Sequence, residues 1–210
     1  MADVISALEK WQSLAGAIIS ATAAFAVAFL VAYIHRRRED VSAAMVLVGN
    51  LTTVMSANET LRTLAANEKV ADNDYPMWLV LRLSSSRPVL SPLFDGCVAR
   101  LMPVDTTLAA HLELFSVIYH SVERHLDRIV EDIEYFREHQ KLLRSKDDTK
   151  ADAEVVKAGF SLAAKHGECA ERLLALFVLS NWPTLHRLRR LVWTTKVETE
   201  CQRLLKTGAL

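Results

Sequence analysis

Turn-forming residues are scarce in this 210-residue chain, at six glycines and five prolines, and cysteine is scarcer still at three. A β-rich fold needs frequent turns, which draw on Gly and Pro for backbone angles that other residues resist. Their shortage beside abundant Ala and Leu points to long helices. Cys97, Cys169 and Cys201 lie 72 and 32 residues apart. That spacing offers no disulfide framework, zinc-ribbon pair or thiol redox motif, and it fits a reducing compartment. An excess of either charge is missing too: 25 basic residues balance 25 acidic ones, which removes the broad electrostatic footprint of a nucleic-acid binder. The phosphate loop G-x-x-x-x-G-K-[ST], the dinucleotide-binding G-x-G-x-x-G and the G-x-S-x-G elbow are all lacking. A non-enzymatic role without a cofactor, and without a nucleic-acid partner, is therefore expected.

One long apolar run is present. Trp11 to Ile34 carries no charge over 24 residues, about 36 Å of helix against a hydrocarbon core of about 30 Å. Trp11 and Tyr33 sit where amphipathic rings favour the membrane interface, and Arg36, Arg37 and Arg38 close the segment with charges that are costly to bury. The residues before it include Asp3, Glu9 and Lys10 rather than a positive leader, so a retained span is expected in place of a cleaved signal peptide. The three arginines set the orientation by the positive-inside rule: N-terminus out, C-terminal portion in the cytoplasm. Gly16, Ser20, Ala24, Ala28 and Ala32 recur every fourth residue, a small-residue face suited to close approach of two membrane helices and hence to self-association.

The remainder reads as helices. The expected organisation is a short extracytoplasmic tail (1–10), a transmembrane helix (11–35), a juxtamembrane amphipathic helix (36–69) and a cytoplasmic bundle (70–210). In the juxtamembrane part Leu47, Leu51, Val54, Asn58, Leu61 and Ala65 alternate steps of four and three. Breakers follow at 66–76, and 77–90 holds an apolar patch and then a Ser/Arg/Pro turn region without a clear period. Ser91-Pro92 opens a short helix ending before Pro103, and Asp105 caps the strongest element. There Leu108, Leu112, Phe115, Tyr119, Val122, Leu126, Ile129, Ile133 and Phe136 sustain the heptad alternation. Ser145–Lys150 reads as a polar hinge. Ala151–Ser180 reads as a helix with Val156, Phe160, Ala163, Ala170, Leu173, Leu174 and Phe177 inward, and with Gly159 and Gly167 marking close packing or mobility. Thr184–Lys206 reads as a last amphipathic helix, with Leu185, Leu188, Leu191 and Val192 on the side that packs on the bundle and solvated arginines around the other. The fold class expected is all-α: an N-terminal transmembrane helix and an antiparallel bundle of three to five helices.

Chemistry is sparse in this reading. His120 with Glu123, and His166 with Cys169, fall on one helical face, but neither has the second pair that a metal site requires, so no metal ligand is expected. Glu131, Asp132 and Glu134 read as a solvated face. Trp182, Arg187, Arg189 and Arg190, with His186 and Trp193, form the one local cluster suited to contact with membrane lipid or a protein partner.

WQSLAGAIISATAAFAVAFLVAYIHRRRED, through Trp11, Gln12, Ser13 and Leu14 and the basic exit, resembles the opening of a group of uncharacterised bacterial single-pass inner-membrane proteins. Ser91–His120 is similar to a second stretch of that group, where a short Pro-initiated helix leads into an aromatic-bearing one. The likeness implies a bacterial inner membrane and a single crossing, and assigns no functional residue. Taken together, the residues suggest a membrane-anchored helical scaffold or effector working through protein contacts and self-association. The alternative is a tethered ligand-sensing bundle, with Tyr119, His120, Trp182, Gly159 and Gly167 lining a pocket.

Overall fold

The computed structural model describes residues 2–141, 143–190 and 192–208, with side chains described for 11 and from 14 onward within that set. It is all-α, with no strand among the described residues. The helices are α1 (Ala2–Asn67), α2 (Tyr75–Ser86), α3 (Phe94–Leu101), α4 (Thr106–His139), α5 (Lys146–Leu174, running into a π turn at Ala175–Leu179), α6 (Pro183–Arg190) and α7 (Lys196–Thr207). The chain divides into two compact units, Met1–Ser42 and Ala43–Leu210.

The first unit is the N-terminal part of α1, and α1 holds the one candidate among the described residues that is long and apolar enough to cross a membrane. None of its most apolar window is buried, and large side chains such as Ile18, Phe25 and Phe29 stand exposed. A core helix of a soluble bundle would have covered them. The helix begins at Ala2, so the expected tail at 2–10 is helical in its backbone.

In the second unit the C-terminal part of α1 joins the bundle, so the boundary falls at 42/43 rather than at 69/70. Leu47, Leu51 and Val54 are fully buried, with Leu61 and Ala65 nearly so. The helix stops at Asn67, where Lys69 takes a left-handed φ of 54°. The stretch without a clear period then becomes α2, started by Pro76 in its first turn, with Leu79, Val80 and Leu83 inward. Glu68 ties that turn down by accepting from Trp78 Nε1 at 2.8 Å and Arg82 at 2.7 Å. The next helix starts at Phe94 rather than at Pro92. Ser91 Oγ accepts from Leu93 N at 3.2 Å and so caps the preceding turn instead.

Helices α4 and α5 form the antiparallel centre of the bundle. Asp105 caps α4 as expected, its carboxylate accepting from Leu108 N at 2.9 Å. Leu108 to Ile129 of the heptad series are buried, but Phe136 is exposed and Ile133 half-exposed, because the core ends before the helix does. The interior holds an aromatic column: Phe94 meets Phe115 at 5.5 Å between centroids, Phe115 stacks on Tyr119 at 5.9 Å, and Tyr119 meets Phe160 at 6.5 Å. The Tyr119 hydroxyl donates to Pro88 O, satisfying a buried polar group and pinning the α2–α3 connection. Of the two glycines of α5, Gly159 marks an approach too close for a side chain, while Gly167 has room for a Cβ at ordinary contact. A Cβ on Gly159 would lie 2.7 Å from Val122 Cγ2, and one on Gly167 3.5 Å from Met55 and Phe115.

Two polar expectations are overturned here. Ser145–Lys150 is no hinge: Ser145 is the N-cap of α5, accepting from Asp148 N at 3.1 Å, with Asp147 and Asp148 in the first turn favoured by the helix dipole. Asp132 is not solvated but 6% exposed, held by Arg144 through Nε and Nη2 at 2.6–3.0 Å. Arg144 also donates to Asp152 at 2.7 Å, and Asp152 meets His125 Nδ1 at 2.7 Å. Burial raises the Asp152 carboxyl, but bonds from Arg144 and His125 outweigh it, and the net position is below the ordinary carboxylate range.

Candidate functional site

Two features of the second unit stand out chemically, and both form where α6 and α7 close on the α4–α5 pair. The first is the outer face of α6. The expected last helix is two helices, because residues 192–195 break it and Thr195 restarts it with a capping box: Thr195 Oγ1 accepts from Glu198 N, and the Glu198 carboxylate accepts from Thr195 N. The burial is also reversed from expectation. Leu185, Leu188 and Val192 are exposed at 59%, 62% and 77%, flanked by Trp182 and Trp193 at 69% and 64%; Leu191 lies outside the described residues.

The arginines turn inward instead. Arg187 donates to Phe177 O at 3.1 Å, Arg189 to Glu198 at 3.2 Å, and Arg190 to Asp105 and to Thr107 Oγ1. The physical reason is the inventory of acceptors. The π turn exposes a carbonyl, Asp105 and Glu198 are nearly buried carboxylates, and each needs a donor more than the bundle needs another leucine. Burial raises the Glu198 carboxyl, while its bonds to Thr195 and the nearby Arg189 and Arg190 bring it down below its usual range.

The second feature is a buried imidazole–thiol cluster beneath α7. His111 of α4 and Cys201 of α7 are fully buried, and His166 and Cys169 of α5 are each 3% exposed. One ligand atom from each of His111, Cys169 and Cys201 lies within 4.8 Å of the others. His111 Nδ1 is 2.9 Å from His166 Nδ1, and His111 Nε2 is 3.1 Å from Cys201 O. Because a carbonyl only accepts, His111 Nε2 carries the hydrogen, its Nδ1 accepts, and His166 Nδ1 donates. Burial, and then the neighbouring His166, push His111 down to about 4, so it is neutral at physiological pH. Burial lowers His166 as well. The two thiols share one environment: the Cys169 thiol beside it makes Cys201 the easier to ionise, and Cys169 is pushed up in turn.

The His166–Cys169 pair was legible as one helical face, and the structure supplies the second pair that it lacked. His111 carried a signal too, three residues after Leu108 and four before Phe115, on the core face. Cys201 sits between Glu198 and Leu204 at steps of three, all three buried. What no periodicity shows is that residues 55 and 90 positions apart converge.

Other site residues are placed as follows. Gly16, Ser20, Ala24, Ala28 and Ala32 are all exposed in α1, as are Arg36 and Arg38, with Arg37 half-exposed. The residues of the ligand-sensing alternative do not converge: Tyr119 is core, His120 faces Glu123 on the surface at 2.9 Å, Trp182 is exposed, and both glycines are filled against side chains. Comparison of the chain with protein-family models, curated proteins and solved structures gives no match.

Proposed function

We propose that this chain is a non-enzymatic, single-pass, membrane-anchored helical scaffold whose bundle works in the cytoplasm and docks a protein partner through the outer face of α6. The observation that carries the reading is the exposure of Leu185 and Leu188 on α6 and of Trp182, Val192 and Trp193 beside its ends. Exposed tryptophans set among apolar side chains are the kind of anchor that protein interfaces use. Lipid contact by the same helix is the weaker occupant: attraction to anionic head groups needs unengaged cations, and Arg187, Arg189 and Arg190 are committed to internal acceptors.

Anchoring rests on the uncovered apolar helix and on Arg36, Arg37 and Arg38 behind it, which favour N-out, C-in placement in a bacterial inner membrane. Self-association uses the Gly16–Ala32 small-residue face. The test places a photo-reactive residue at Leu188 in the full-length chain in native membranes, with Glu131 as an exposed polar control. A protein adduct specific to position 188 is expected. Lipid adducts alone, or labelling no greater than at 131, would refute docking of a protein there.

A further inference from the structure

The imidazole–thiol cluster is more than a polar inclusion in the core. We propose that Cys169, Cys201, His111 and His166 form a structural zinc site that clamps α7 to α4 and α5. Four observations support this independently of the scaffold reading.

Donor chemistry comes first. Two thiols and two imidazoles are the ligand set of closed tetrahedral zinc sites, and three of the four already place a ligand atom within 4.8 Å of one another. Bonds of about 2.0–2.3 Å at tetrahedral angles separate ligand atoms by about 3.3–3.8 Å, so the ligand atoms of His111, Cys169 and Cys201 have to close by about 1 Å, and His166, which lies outside that cluster, has to turn its ring toward the thiols. The His111 and His166 nitrogens, now 2.9 Å apart, have to open by about 0.4 Å. Rotamer adjustment supplies shifts of that size.

The second observation is the outer support. Metal-bound histidine is normally oriented by a partner on its other nitrogen. With Nδ1 on the metal, His111 Nε2–H still donates to Cys201 O at 3.1 Å, a bond already in place. Third is charge. Two thiolates and Zn²⁺ sum to zero, which a buried site tolerates, whereas a monovalent cation would leave a net negative charge uncompensated in the core. Binding then releases the two thiol protons to solvent, moves the His166 hydrogen from Nδ1 to Nε2 so that Nδ1 can ligate, and needs no oxidant.

Fourth is placement. The His166–Cys169 pair spans one helical turn of α5, His111 faces it from α4, and Cys201 arrives from α7, a 12-residue helix that follows the break at 192–195. A short helix gains most from a cross-link of this kind. Neither Cys169 nor Cys201 is in a disulfide, and both are 3% exposed or less.

The test uses the full-length protein in detergent, reduced and stripped of metal by chelator, then titrated with Zn²⁺ and separately with Co²⁺ as a spectroscopic stand-in. One equivalent of Zn²⁺ is expected, and Co²⁺ should give a thiolate charge-transfer band with the strong visible absorption of tetrahedral cobalt. Cys169→Ala and Cys201→Ala each remove one thiolate; each should retain helicity while the charge-transfer band falls to about half or less, and the double variant should lose it. His166→Gln should weaken affinity by more than the 10–100-fold typical of a merely orienting partner and should alter the visible cobalt spectrum. An unaltered cobalt spectrum in that variant would remove His166 from the ligand set and overturn the four-ligand site. Absence of stoichiometric zinc binding by the folded, reduced protein would overturn the proposal altogether. So would a Cys169–Cys201 disulfide found by thiol trapping in native membranes.

Discussion

Replacing Gly159 with Ala should destabilise the protein even though alanine is the better helix former. In an exposed helix interior the change gains about 1 kcal/mol. At Gly159 the new methyl would stand 2.7 Å from Val122 Cγ2, well inside ordinary carbon contact. Val122 is 3% exposed, and its β-branch holds it to few rotamers, so it cannot swing aside cheaply. Overpacking of this kind costs about 1–3 kcal/mol. Gly49 provides the matched comparison, since a Cβ there meets nothing within 4 Å. Gly49→Ala should therefore stabilise by about 0.5–1 kcal/mol, and Gly159→Ala should fall about 1–3 kcal/mol below the propensity gain. For a chain of this size each kcal/mol moves Tm by about 2–4 °C. Thermal melts of the full-length protein in one detergent, followed by circular dichroism, would resolve the difference. Val122→Ala removes the clashing methyl, so the double variant should recover about 1–2 kcal/mol relative to additivity, outside the 0.3–0.5 kcal/mol scatter of independent sites. If Gly159→Ala raises Tm as much as Gly49→Ala, or if the two α4 and α5 changes are additive, the close approach is not what the glycine is for.

Four further outcomes can be measured. Arg144→Met leaves Asp132 and Asp152 without their shared donor and should cost about 2–3 kcal/mol at neutral pH, below the 3–5 typical of a fully buried pair because Arg144 is partly exposed. Asp152 sits below its ordinary range in the folded protein. Its stabilisation is thus complete above the unfolded carboxylate pKa and is lost as pH falls through the folded value, so denaturation midpoints should fall in acid for the native protein and much less for the Arg144 variant. Thr195→Ala removes the capping-box acceptor for Glu198 N and should destabilise by about 0.5–2 kcal/mol, with amide exchange rising first in α7; uniform exchange across the bundle would count against a local cap. Ser20→Leu with Ala24→Leu should weaken dimerisation in a membrane reporter assay, and an unchanged signal would exclude the small-residue face as the contact.

The heptad series of α4 was legible because each member obeys a local rule, and burial followed it from Leu108 to Ile129. It failed at Phe136, where the helix outruns its partner, since a period reports which face is apolar and not where the neighbouring element stops. The α6 reading failed for a related reason. An amphipathic pattern has two faces, and the rule that leucines go inward yields when buried acceptors such as Asp105 and Glu198 need the arginines. Helix α2 was hidden by a Pro and three serines that resemble a turn region, though Pro76 starts it and the serines end it.

By itself the sequence determined the all-α class, the apolar membrane-length segment and the Asp105 cap of α4. These depend on composition, on charge-free length and on side chains within four residues of the backbone they serve. Only the tertiary structure decided that His111 and Cys201 meet the His166–Cys169 face, that Asp132 is buried and that α6 presents its apolar side outward. Each of these is a contact between residues far apart in the chain, set by which helices pack together and by the need of buried carboxylates and carbonyls for donors.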